Sequence, residues 1–268
     1  MPRAENVARR YDRSYARAFR VADHGLAMSL DRLFANYGVV DPVRHRDSER
    51  LPIALRVLEY PTLEGKVVLD YGCGSAKAAV VFAQAGARVF GFDVSPNAIH
   101  TGRRRAAIND VGDRVHLSVM SGNRLAYPDD SFDYVFGYEI LYYIGGLDFG
   151  REVLRVLKPG GRAVFCEAFD GNAPLRWARG VLRRVTGTVN RTGGRALTLD
   201  RIRGAFGPEA DVATYPVNLF AIAKRFFAGA GVMSRHVVMG LKRLDRWCLG
   251  RYPRLRRLCG EIVVVVTK

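Results

Sequence analysis

Cysteine is scarce in this 268-residue chain: its four copies, Cys73, Cys166, Cys248 and Cys259, form no C-x-x-C pair and no His/Cys cluster with zinc-ligand spacing. A structural zinc site is therefore not expected, and the four read as reduced thiols. Histidine is sparse as well. Of the five, His100 is expected on the open side of a helix and His116 in or beside a strand, while His24, His45 and His236 fall in segments flanking the core. In those three a base near neutral pH and a plain surface role both stand. Long apolar runs are missing, since nothing approaches the roughly 18–20 residues of a membrane-spanning helix. Met1 to Arg20 is charged throughout and lacks the apolar centre of a secretory signal. A cytoplasmic location is expected. Acidic residues are few, 26 against 42 Lys and Arg, for a formal net charge of +16. The hydrophobic fraction, 49%, suffices for one substantial buried core with an added cap.

What is present begins with Val67-Val68-Leu69-Asp70-Tyr71-Gly72-Cys73-Gly74-Ser75-Ala76-Lys77, followed by Val89-Phe90-Gly91-Phe92-Asp93. A short apolar run closes on a carboxylate, turns through two glycines and enters an Ala/Val-rich helix; a second apolar run then ends on another carboxylate. Glycines tolerate the φ values of a tight strand-to-helix turn and let the backbone approach a ligand. Asp93, at the tip of the second strand, is placed to accept from both ribose hydroxyls of an adenosine. A dinucleotide is disfavoured, because Lys77 stands where G-x-G-x-x-G needs its third glycine. Asp70 beside the turn would repel a diphosphate and welcome a sulfonium or an ammonium. Cys73 needs only to be small, so packing is its expected role.

Leu69-Asp70-Tyr71-Gly72-Cys73-Gly74 resembles the first motif of the class I S-adenosylmethionine-dependent methyltransferases. Two further stretches, Leu125 to Val135 with Pro128-Asp129-Asp130-Ser131-Phe132-Asp133, and Leu154 to Gly161 with Leu157-Lys158-Pro159-Gly160-Gly161, are similar to that family's turns into its fourth and fifth strands. The resemblance is close from about Val67 to Phe169. It implies a Rossmann-like α/β fold with a seven-stranded, mostly parallel sheet whose last strand is antiparallel. It implies S-adenosylmethionine as cofactor, S-adenosylhomocysteine as product, and no metal. The cofactor would lie against Asp70, Tyr71, Gly72, Cys73, Gly74, Asp93, Val94 and Tyr138, with its adenine along Ser121, Gly122 and Asn123. Many relatives carry an aspartate where Ser121 stands, and a serine hydroxyl accepts less strongly than a carboxylate.

Along the chain, alternating apolar and amphipathic stretches predict strands at 67–70, 87–93, 115–120, 134–138, 162–167, 211–217 and 261–267, and helices near 76–85, 96–109 and 148–157. Residues 1–60 read as an N-terminal helical lid with Tyr11, Tyr15 and His45 as candidate substrate contacts. Residues 61–170 read as the cofactor-binding core. Residues 171–268 complete the core and carry basic insertions, 171–200 and 218–260, that leave from the carboxyl ends of strands and are expected to roof the substrate site.

Charge is segregated. Lys and Arg exceed Asp and Glu by three in residues 1–60, fall one short in 61–170, and exceed them by fourteen in 171–268. Such a distribution suits an anionic substrate, an anionic membrane surface at the inner face, or an acidic carrier protein. Nucleic acid is disfavoured for want of any RNA-binding module. The apolar and basic residues of 220–258 suit an interfacial helix and equally a cap helix packed on the sheet.

For chemistry, the candidates follow the fourth strand, Glu139, Tyr142 and Tyr143, and end the fifth, Glu167. Tyrosine, with an ordinary pKa of about 10, is a poor base and more suited to orienting substrate. In a bacterial subgroup that Glu167 to Leu175 resembles, associated with polysaccharide or specialised metabolism, histidines lie near Gly171 and near Arg195. Both are absent here, and Arg195 is left as a candidate substrate contact. The sequence leads us to expect methyl transfer to oxygen on a small or lipid-linked acceptor. Carbon methylation of a prenyl diphosphate, and a non-catalytic docking protein that keeps the cofactor fold, remain as alternatives.

Overall fold

The computed structural model describes residues 12, 25–37, 49–141, 143, 148–169, 197–208, 210–221 and 235–268. Its elements are, in chain order, α1 (Leu30–Asn36), α2 (Arg50–Val57), β1 (Val67–Tyr71), α3 (Lys77–Gln84), β2 (Arg88–Asp93), α4 (Pro96–Ile108), β3 (Val115–Val119), β4 (Phe132–Tyr138), α5 (Asp148–Val156), β5 (Leu157–Ala168), α6 (Leu199–Phe206), β6 (Asp211–Val217), α7 (Arg235–Arg251), a 3-10 turn (Pro253–Leu258) and β7 (Glu261–Thr267). The strands form one seven-stranded sheet in the order β3-β2-β1-β4-β5-β7-β6. All neighbours are parallel except that β7 runs antiparallel to β5 and β6. The mostly parallel α/β sheet with an antiparallel last strand is therefore present.

Side-chain alternation divides the core into two layers. Val68, Val89, Phe136, Val164 and Val263 point to one face, where α1 to α4 pack through Leu33, Leu51, Phe82 and Ile99. Leu69, Val135, Phe165, Ile262 and Val264 point to the other, against Phe149 and Val153 of α5 and Ile202 and Phe206 of α6. Because β7 is covered on both faces, its Ile262 to Val266 run is unbroken apolar and β-branched.

Helix starts are set by side chains the sequence supplies. Ser95 caps α4 by accepting from the Ala98 amide, with Pro96 following it, and Thr198 caps α6 by accepting from Arg201. The start of α3 has only Ala76, in the left-handed region at φ 57, and no side-chain acceptor of its own. Asp70 supplies it from β1, its Oδ2 accepting from the Ala79 amide at 3.2 Å.

Two strands begin earlier than expected. β4 starts at Phe132 and β5 at Leu157, because Phe132 pairs with Leu157 ahead of a register shift at Tyr134. The Phe132-Asp133 and Lys158-Pro159-Gly160-Gly161 motifs lie at the amino edge of the sheet, where Asp133 accepts from Lys158 at 2.8 Å and from the Val67 amide at 2.8 Å. They latch the sheet, away from the ligand crevice. That crevice belongs at the carboxyl edge between β1 and β4, where the strand order reverses.

Candidate functional site

At that edge the turn after β1 has Gly72 at φ 71 and Gly74 at φ 51, as a left-handed turn requires. A side chain on Gly72 would collide with Ile140, whose Cδ1 lies 2.6 Å from the position of an added Cβ. The missing side chain at Gly72 thus admits the loop after β4 rather than a ligand. Arg105, buried on α4, donates to the Ser75 carbonyl and ties the same turn from below.

Asp93 ends β2 with its carboxylate beside this turn. Its Oδ2 accepts from the Gly74 amide at 3.1 Å and its Oδ1 from the Ser95 amide at 2.9 Å. A carboxylate has about four lone-pair sites, so capacity remains for a ligand hydroxyl. Burial raises the Asp93 pKa, the amides of Ser95, Gly74 and Val94 counter it, and nearby Asp12 raises it further. Asp12, the single described residue of 1–24, accepts from Ser95 Oγ at 2.8 Å and from the Asn97 amide at 3.1 Å. Val94 is exposed and Met120 half-buried beside Asp93, the Met120 amide donating to the Asp93 carbonyl at 3.1 Å. A carboxylate for a diol flanked by apolar side chains fits an adenosine.

Asp70 and Tyr71 act from behind. Asp70 is buried and aimed at α3, and burial raises its pKa to about 7. Tyr71 is buried among Phe92, Phe149 and Phe165, and its hydroxyl donates to the Gly122 carbonyl. It therefore shapes the Ser121-Gly122-Asn123 turn, in which Ser121 and Asn123 are exposed. Cys73 is buried with its thiol pKa raised by burial, an inert packing residue.

Across the crevice, Tyr138 ends β4 with its ring stacked on Tyr37 at 3.9 Å and its hydroxyl accepting from Arg50 at 2.8 Å. Burial holds that phenol well above the usual tyrosine range. Glu139 follows at φ 53, a conformation that L residues with long side chains rarely adopt. Its carboxylate is 38% exposed, and Oε1 accepts from both terminal nitrogens of Arg50 at 3.1 Å. Glu167 is fully buried. Its Oε1 accepts from the Ile140 and Leu141 amides at 2.9 and 3.1 Å, and Oε2 has no hydrogen-bond partner among the described residues. Burial pushes its pKa up to about 8 against the pull of those two amides. Glu167 thus clamps the turn after β4 from within the core, where burial favours its protonated form. Tyr143 closes that loop with its amide on the Ile140 carbonyl at 3.0 Å. Tyr142, Tyr11, Tyr15, His45 and Arg195 lie outside the described residues.

Sequence reasoning missed the polar cluster that braces this edge. Arg50 also reaches Glu261 at 3.2 Å, and Lys242 of α7, fully buried, pairs with Glu49 at 2.5 Å and donates to Asn218 at 3.1 Å. No periodic pattern announces such residues; the one available signal is charge at positions that a packed helix would fill with apolar side chains.

Comparison with known proteins agrees with the geometry. Residues 69–165 match the model of a methyltransferase domain family. Over about a third of its length the chain is thus similar to a methyltransferase domain. Among curated relatives, the domain is 38% identical over 105 residues to the methyltransferase GfsG of Streptomyces halstedii, covering 38% of each chain. It is 39% identical over 115 residues to the demethylmenaquinone methyltransferase of Clavibacter sepedonicus, covering 41% of this chain and 44% of that one. The match therefore spans less than half the length of these relatives. The fold is also that of geranyl diphosphate C-methyltransferase from Streptomyces coelicolor, with a TM-score of 0.58, 16% identity, and 80% and 79% of the two chains covered. The matched residues include the glycine turn, Asp93 and β4, while Tyr37, Arg50 and Glu167 lie outside them.

Proposed function

We propose that the chain binds S-adenosylmethionine and methylates a hydroxyl oxygen of a small or lipid-linked acceptor that is apolar or anionic, in specialised-metabolite or glycan biosynthesis. The observation carrying the reading is the pairing of Asp93 with the left-handed glycine turn on one side of the crevice and the half-exposed Glu139 on the other. Asp93 would hold the ribose hydroxyls, and Val94 and Met120 would flank the adenine. The bound cofactor supplies an electrophilic methyl group on a sulfonium. What remains for the protein is to align an acceptor with it, and alignment alone can provide much of the rate.

Glu139 is the described carboxylate best suited to accept the hydroxyl proton, since Arg50 fixes its direction while leaving it in reach of solvent. The bent backbone at φ 53 aims it away from the strand. Among the described residues, no group of three or more His, Cys, Asp or Glu could hold a metal ion, and the reading calls on none. The prenyl diphosphate alternative gains nothing from the described edge, where Arg50 and Lys242 are already engaged with carboxylates.

Calorimetric titration with S-adenosylmethionine and S-adenosylhomocysteine, with an acceptor screen read by methyl transfer, tests the proposal. Expected are micromolar cofactor binding and, in Glu139→Gln, preserved affinity with kcat lowered by about 10²–10⁴-fold, the span of general base catalysis. Absence of cofactor binding would transfer the reading to a docking protein that keeps the fold; unchanged kcat in the variant would remove Glu139 as the proton acceptor.

A further inference from the structure

α7 has two faces of opposite character. Val238, Lys242, Asp245 and Cys248 are buried against the domain, with Asp245 accepting from the Phe220 and Ala221 amides at 2.6 and 3.2 Å. On the other side, Val237, Gly240, Leu244 and Trp247 recur at the spacing of one helical face. They are exposed: Val237 50%, Leu244 42% and Trp247 63%. Trp247 meets Tyr252, 49% exposed, edge to face at 6.3 Å, and Arg251 stacks over the Tyr252 ring at 5.3 Å. Exposed arginines border this strip, Arg243 and Arg251 on the helix and Arg254, Arg256 and Arg257 in the following 3-10 turn. From Arg235 to Leu258 there are eight Lys and Arg and one acid, the inward-facing Asp245.

We infer that this face of α7 and the turn after it dock on an anionic lipid bilayer, with Leu244, Trp247 and Tyr252 entering the interface and the arginines lying on the headgroups. Charge complementarity selects the occupant. An aromatic pair with aliphatic neighbours, rimmed by basic residues, is the composition that partitions to a negatively charged membrane surface. A polyanionic nucleic acid would reward the arginines but give the exposed Leu244 side chain no apolar surroundings. A second copy would bring two like-charged surfaces together. No helix among the described residues is long and apolar enough to cross a membrane, so the attachment is to the surface. The inference stands independently of the methyl-transfer reading.

The test is co-sedimentation of the full chain with vesicles of phosphatidylcholine alone and of phosphatidylcholine with phosphatidylglycerol, at low and high salt. Trp177→Phe leaves Trp247 as the sole tryptophan, so quenching by lipids brominated on the acyl chains reports its insertion. The chain is expected to pellet with the anionic vesicles, less so at high salt, with Trp247 quenched. Leu244→Ser with Trp247→Ser should lower partitioning by on the order of a hundredfold, the scale for burying two large apolar side chains. Arg254→Ser, Arg256→Ser and Arg257→Ser together should also lower it by on the order of a hundredfold. Circular dichroism and cofactor titration should be unchanged in both, separating this result from failure of the catalytic reading. Pelleting untouched by the Leu244/Trp247 changes, no pelleting with anionic vesicles, or capture by single-stranded RNA that the arginine changes alone abolish would each overturn the inference.

Discussion

Glu167 shows how one buried group can serve a site it never touches. It holds the two amides that set the loop after β4, and it does so with a proton on the carboxyl, because burial raises its pKa from 4.5 to about 8. The consequence for stability has a definite sign. Between the two values the folded chain keeps a proton that the unfolded chain has lost, so stability is full below the unfolded pKa and falls as pH rises through the folded one. Asp70 acts in the same direction from 3.8 to about 7. Urea unfolding should therefore show stability declining from about pH 4.5 to about pH 8, by up to about 1.4 kcal/mol per pH unit for each group. Glu167→Gln keeps an oxygen for the two amides and cannot ionise. Its slope should be shallower, most visibly between about pH 7 and about pH 8, where Asp70 has already titrated. Parallel curves for the two proteins would show that Glu167 is charged in the folded state.

At the level of elements, α7 and α2 are joined by an ion pair that the fold fully encloses. Lys242 meets Glu49 at 2.5 Å and Asn218 at 3.1 Å, next to the Arg50 that reaches both Glu139 and Glu261. Removing one member strands the other, which costs about 3–5 kcal/mol, whereas replacing both by apolar groups of similar size can be nearly neutral. Lys242→Met should accordingly destabilise the chain by that amount in urea unfolding, and Lys242→Met with Glu49→Leu should recover most of it; an additive loss would deny the coupling. This cluster also marks the limit of what was legible in the sequence. β1, β2 and β7 could be read to within a residue or two because their apolar runs are largely buried, the edge strand β6 was legible although only Val217 in it is buried, and α4 was legible because Ser95 and Pro96 mark its start. Asp93 and the glycine turn were legible because backbone geometry restricts which residues stand there. β5 was misjudged at its start since Pro159 and Gly160 signal a turn while Leu157 already pairs with Phe132. Arg50, Glu49, Lys242 and Glu261 come together only through tertiary packing, and Tyr71, which the resemblance implies as a cofactor contact, has its ring in the apolar layer behind the turn.

For the whole molecule, the near-neutral core and the strongly basic last third divide the work between a crevice and a surface. α7 belongs to both, for its inner face carries Lys242 to the brace behind Glu139 while its outer face offers Leu244 and Trp247. A docked molecule would then hold its crevice close to the bilayer, as a lipid-linked acceptor requires. The crevice itself is preformed: Asp93, the glycine turn and the 139–143 loop are all fixed by hydrogen bonds within the protein. A ligand that binds such a site and not the unfolded chain stabilises the fold by about 2.7 kcal/mol at a concentration one hundred times its Kd. In a chain of this size each kcal/mol moves the melting temperature by about 2–4 °C. S-adenosylhomocysteine at that excess should therefore raise Tm by about 5–10 °C, measured by differential scanning fluorimetry. Asp93→Asn loses a charged acceptor for the ribose hydroxyls, an interaction of about 1.5–3 kcal/mol, so its affinity should fall by about ten- to a hundredfold and its shift at the same concentration should shrink to about 1–6 °C. Equal shifts in the two proteins would place the adenosine elsewhere than at the end of β2, and no shift in either would leave the fold as a scaffold whose function lies in its basic face.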